Sequence, residues 1–154
     1  DDDRKVSIND IVYRDLALAF QTKSSPDTEK ENLNMILEAS RKDLNENAYR
    51  KVVNAVLMHY SDMGMEHELE DLFAQIFFST LSEKTRSNEL HPDAGTLQIM
   101  CSHFAQRRDI GKLRVYLNLH LTDFPEMRPS KAYVSTVMKA LGATKNYDLL
   151  RAVF

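Results

Sequence analysis

Arg107 and Arg108 are adjacent, and Lys112 follows one helical turn later. Three cations this close can grip phosphates, and each phosphate held would add to the salt dependence of binding. A helix C-terminus attracts cations through its own partial negative charge, so the same trio also has an ordinary structural reading. The five histidines, His59, His67, His91, His103 and His120, are scattered. None stands at a close His/carboxylate spacing for a metal, and none joins a nucleophile in a recognisable motif. The single cysteine, Cys101, excludes an intrachain disulfide and a cysteine-based zinc site. The carboxylates of "EHELED", residues 66–71, suit the first turn and exposed face of a helix. No glycine-rich phosphate loop is present. These residues predict no enzyme, no metal and no cofactor.

The elements that position such residues follow from composition and periodicity. The 154 residues are 43% hydrophobic, with only four Gly and four Pro. That is enough apolar material for a core and too few turn-formers for a sandwich or barrel. No run is long and apolar enough to span a bilayer, and no cleavable signal is visible. The net charge of −3 hides a gradient. Residues 1–83 hold 9 Lys/Arg against 17 Asp/Glu, and residues 84–154 hold 11 against 6. An asymmetry of this kind can mark a polyanion-binding end or an acidic terminal tail. The chain opens "DDDRKVSIND" and stops at "LLRAVF" inside an amphipathic pattern, so it reads as an excerpt of a longer protein.

Apolar residues at three- and four-residue spacing predict eight helices and no strand. The first spans about residues 7–21, after an acidic disordered tail over 1–6. Pro26 opens the second, behind a possible Ser25 cap, with Leu33, Ile36 and Leu37 inward. The third, about 46–62, carries Tyr49, Val52, Val53, Val56, Leu57 and Tyr60, and Gly64 follows as a left-handed stop. The fourth buries Leu69, Leu72, Phe73, Ile76 and Phe77. Residues 79–92 read as a long mobile loop. Asp93 caps the fifth helix, striped by Leu97, Met100, Cys101 and Phe104. The sixth carries Ile110, Leu113, Leu117 and Leu121, and the seventh Val134, Val137, Met138 and Leu141. The eighth starts near Asn146 with Tyr147, Leu150 and Phe154.

Helices joined by two to four residues lie antiparallel, and repeated pairs are the mark of an α-solenoid. The pairs overlay. Gly64, Arg108 and Lys145 occupy the same inter-helix point; Tyr60, Phe104 and Leu141 precede it in register; Leu69, Leu113 and Leu150, then Phe73, Leu117 and Phe154, follow it. One helix–turn–helix unit is thus written three times, and four if 7–44 is counted. The expected fold is an all-α solenoid of antiparallel repeats over 7–154, with units at about 7–44, 46–78, 93–122 and 130–154.

Units of this length, with "LEDLF" ending at Phe73, "LLRAVF" ending at Phe154, and "HPD" and "RPS" before helices five and seven, resemble the pentatricopeptide repeat family. The likeness covers about residues 46–154, more loosely 7–44, and is closest to divergent fungal, mitochondrial-type repeats. Leu69, Leu113 and Leu150 stand where the family favours a small residue, which should open the angle between paired helices. The resemblance implies single-stranded RNA as partner, about one base per repeat, in mitochondrial RNA metabolism or translation. It carries the base-edge roles onto Asn54 with Asp93, Gln98 with Ser130, and Ser135. Asn, Gln and Ser can both donate to and accept from a base edge. The base-flanking positions fall on Gly95 and Ala132. A protein-binding scaffold within a larger complex is the alternative, and an under-packed last unit (Tyr147, Leu150) gives a route to a dimer.

Overall fold

The structure, a computed structural model, describes residues 26–78, 90–123 and 130–153. Every regular element among them is helical: α1 (Pro26–Asp43), α2 (Glu46–Asp62), α3 (Glu66–Phe73) continuing as a π-helical turn (Ala74–Phe78), α4 (Ala94–Gln106), α5 (Ile110–Asp123), α6 (Lys131–Ala143) and α7 (Tyr147–Val153). The expected helix over 7–21, the acidic tail, Ser25, the 79–89 part of the expected loop and Phe154 lie outside the described residues. No described helix is long and apolar enough to cross a membrane.

Three of these helices stop in the same way. Gly64, Arg108 and Lys145 have φ of 70°, 57° and 59°, the left-handed region. The following N–H then reaches back to the carbonyl five residues earlier. Met65 donates to Tyr60 at 2.8 Å, Asp109 to Phe104 at 3.0 Å and Asn146 to Leu141 at 2.9 Å. Inside each ring, the left-handed residue donates to Ser61, Ala105 or Gly142, at 3.1 Å each time. This is the Schellman closure, which satisfies the last carbonyls of one helix while turning the chain into the next. Glycine does this without strain; Arg108 and Lys145 each carry a cost of about 1–2 kcal/mol. The next helix then starts on schedule, with Leu69, Leu113 and Leu150 donating to Met65, Asp109 and Asn146. The hairpin read three times in the sequence is therefore one local geometry repeated three times.

The chain forms two compact units, Asp1–His91 and Pro92–Phe154. In the first, α2 packs on α1 and on α3. The α2 stripe is buried along its whole length, with Val52, Val53, Val56 and Leu57 fully so. Asn45 caps α2 by accepting from the Ala48 N–H. Glu29 of α1 meets the His59 ring of α2 at 2.5 Å, and both are buried. Phe73 and Phe77 pack ring on ring across the passage into the π-helical turn, with centroids 5.2 Å apart. The Arg50 Nε donates to the His91 carbonyl at 2.8 Å, holding residue 91 against α2.

In the second unit, α4 packs on both α5 and α6, and α6 packs on α7. Phe104 of α4 stacks on Tyr116 of α5, and the Lys112 ammonium lies 5.4 Å from the centre of the Phe104 ring. Three expected core assignments need correction. Leu121 is 43% exposed, because it lies near the end of α5 beyond the stretch anchored by Leu113, Tyr116 and Leu117. Val134 and Met138 also fall outside the core, Met138 being 44% exposed. The core stripe of α6 is Tyr133, Val137, Ala140 and Leu141. The helix is apolar on two faces, and the face turned to α4 is rotated one residue from the expected one. Tyr147 at the start of α7 is 54% exposed, and Leu150 is half-buried.

Phe73→Ala removes a fully buried ring from the first unit and is expected to cost about 3–5 kcal/mol. Leu121→Ala, on the exposed end of α5, should stay within about 0.5 kcal/mol. Urea unfolding of both variants checks the register; a near-neutral Phe73→Ala would show that α3 is misplaced.

Candidate nucleic-acid interface

The N-termini of α4 and α6 bring together one of the expected residue pairs. Ser130 is the N-cap of α6, where its Oγ accepts from the Tyr133 N–H at 3.2 Å. The hydroxyl hydrogen is thereby left for a second partner. It goes to Gln98 on α4: Ser130 Oγ donates to Gln98 Oε1 at 2.8 Å. The bond lies at the surface and spans two neighbouring helices. With its oxygen engaged, Gln98 is left its amide N–H groups to offer outward.

Asp93 is the N-cap of α4. One carboxylate oxygen accepts from the Thr96 N–H at 2.8 Å and from the Thr96 hydroxyl at 2.9 Å, while the Asp93 N–H donates to Thr96 Oγ. This is a capping box with Thr in place of the usual Glu or Gln. Asp93 thus has a structural task, fixing where α4 starts. Its expected companion Asn54 is half-buried on α2, one turn beyond Arg50, and belongs to the first unit. Ser135 is exposed on α6, 37 residues after Gln98 and in register with it. Gly95 and Ala132 are exposed in the first turns of α4 and α6.

Arg107 and Arg108 are both exposed, at the C-terminal stop of α4. Nine residues separate Gln98 from Arg107, about 14 Å along the helix axis. Charge at the turn and hydrogen-bonding groups at the N-terminus thus lie at opposite ends of one helix. Lys112, the third cation of that group, has its ammonium over the Phe104 ring, a cation–π contact that favours a packing role. No group of three or more His, Cys, Asp or Glu side chains is placed to hold a metal among the described residues.

Sequence reading missed the contact that locks α6 to α4 beneath the polar pair. The Tyr133 hydroxyl donates to Cys101 Sγ at 3.6 Å, and both residues are buried. Burial pushes the Cys101 thiol up to about 12, although the Tyr133 hydrogen bond pulls the other way. Burial, reinforced by Cys101, also raises the Tyr133 phenol. The available signal was the 133–137–140–141 spacing, which competes with 134–137–138–141 on equal terms.

No family model, curated protein or solved structure matches this chain.

Cys101 should therefore resist thiol reagents in the native state and react on unfolding. A thiol with a raised folded pKa contributes stability that is complete below its unfolded value and fades as pH rises through the folded one. Folding stability should accordingly fall from about pH 9 towards 12, since the unfolded chain releases a proton that the folded chain keeps. Denaturant unfolding at pH 7, 9 and 10.5 tests the slope, and Cys101→Ala should make it shallower.

Proposed function

We propose that this chain binds single-stranded RNA along the first helices of pentatricopeptide-like repeats arranged as an α-solenoid, in mitochondrial RNA metabolism or translation. The observation that carries the reading is the Ser130–Gln98 hydrogen bond. It joins two side chains of base-reading type across adjacent first helices, at the surface. A base presenting acceptors on its edge would take the Gln98 amide hydrogens, and the Ser130 bond would hold that amide in orientation. Ser135 supplies the next hydroxyl in register, with Lys139 one turn further on α6. Gly95 and Ala132 offer little surface for stacking. Affinity would then rest mainly on phosphate contacts, for which the excess of Lys/Arg after residue 83 and the exposed Arg107 and Arg108 are suited. The resemblance also names Asn54 of the first unit and Asp93 of the second as base-reading residues.

A second reading, a protein-binding scaffold, draws on the first unit. That part of the chain is acidic, and Met35 and Met63 are 68% and 60% exposed. Exposed methionines suit adaptable apolar contacts with a partner helix.

Titration of single-stranded RNAs across a salt series separates the two. Arg107→Ala with Arg108→Ala should weaken all RNAs about equally and flatten the salt slope, because phosphate contacts carry no sequence information. Gln98→Ala should change which base is preferred at one position, by about 1–3 kcal/mol if the scale known for DNA base contacts applies. If neither variant alters RNA binding while a protein partner is lost, the scaffold replaces the RNA assignment.

A further inference from the structure

The way α6 sits on α4 specifies what belongs on the far side of α6. Residues of the two helices correspond at a separation of 37, as Gln98 does to Ser135 and Arg108 to Lys145. On α4, Leu97 and Cys101 are fully buried, and Tyr133 of α6 meets Cys101. The α6 residues in the same register are Val134 and Met138, which are half-exposed and exposed. They line an open groove of about 410 Å³ together with Lys131, Ser135 and Lys139 among the described residues. Both α4 and α7 pack on α6, yet Val134 stays half-exposed and Met138 44% exposed, so this apolar face is covered by neither.

We propose that this edge of α6 receives the first helix of a further hairpin with the same register. The occupant's chemistry follows from continuing the α4–α6 interface by one step. A hydroxyl-bearing N-cap would stand beside Ser135, as Ser130 stands beside Gln98. An aromatic residue at the third helical position would lie on the Met138 sulfur, as Tyr133 lies on Cys101; a thioether is a favourable neighbour for an aromatic ring. A second copy of this chain docking by the same edge fits poorly. Its Lys131 and Lys139 would bring four ammonium groups around one apolar strip. The inference rests on the repeat register and stands whether or not the polar face binds RNA.

The probe is the full chain extended by a second copy of its own residues 118–154, which supplies Ser130 and Tyr133 equivalents in register. Peroxide oxidation followed by mass spectrometry reads the exposure of Met138, with Met35 and Met63 as internal references. In the unextended chain Met138 should oxidise at a rate comparable to the references. In the extended chain it should slow at least tenfold while the references stay constant, and the thermal midpoint should rise. Val134→Asp should abolish both effects in the extended chain and leave the unextended chain folded, because residue 134 there is half-exposed and outside the core. Unchanged Met138 reactivity in an extended chain that has gained the expected helical circular dichroism would overturn the proposal. So would an added segment that gains no helix, since docking is what should fold it. Slow Met138 oxidation in the unextended chain at dimer mass by sedimentation would assign the edge to a second copy instead. Full protection by a single-stranded oligonucleotide alone would assign it to RNA. Either result rejects the hairpin.

Discussion

A backbone N–H that reaches five residues back to close a helix is the bond on which the rest of this structure depends. Made at Met65, Asp109 and Asn146, it turns a helix back on itself within two residues. The following helix then packs against the one before. Because the closure is the same three times, Tyr60, Phe104 and Leu141 all reach the buried side just before their turns. Leu69 and Leu113 do so just after theirs. A longer or looser connection would leave these pairs out of step, and the stripes would face water. That the strained left-handed position is held by Arg108 and Lys145 as well as by Gly64 shows how firmly the surrounding packing imposes it.

The second unit shows how an interface between like helices produces a polar surface as a by-product. Tyr133 and Cys101 meet in the buried layer between α4 and α6, and Ser130 and Gln98 meet above them at the surface. The lower contact sets the distance between the helices, and the upper one uses it. Ser130 is well placed for this because an N-cap hydroxyl accepts from the helix and so keeps its hydrogen for a neighbour. The two layers are joined through the first turn of α6, so a change at Tyr133 would be felt at the Gln98 amide without touching it.

In the first unit the helices are held partly by chemistry of another kind. Glu29 and His59 come together in a buried pair between α1 and α2, 30 residues apart in the chain. Tyr60 lies next to that pair, and burial with the nearby Glu68 and Glu29 charges pushes its phenol up to about 12. A buried carboxylate needs a partner, and removing His59 would leave Glu29 without the one it has. The polar groups here serve packing between helices and present nothing outward. Among the described residues of this unit, the exposed large apolar side chains are Met35, Met58 and Met63.

Among the described residues, the helix positions, the left-handed stops and the cap at Asp93 were legible in the sequence, because each depends on residues within a turn or two. Gly64, Asp93 and the 46–62 stripe announce themselves by type and spacing. Even Arg108 and Lys145, which carry no glycine signal, were located by overlay on Gly64. What lies against each helix was decided only in three dimensions. The apolar residues of α6 allow two faces, 133–137–140 and 134–138, and local periodicity weighs them alike. The choice between them was made by α4, whose Cys101 and Gln98 meet Tyr133 and Ser130. The Glu29–His59 pair was likewise invisible, since an acidic residue on one helix and a histidine on the next carry no sign of their common orientation. Local hydrogen bonding is written in neighbouring residues, whereas partnership between helices depends on surfaces that exist only once both have folded.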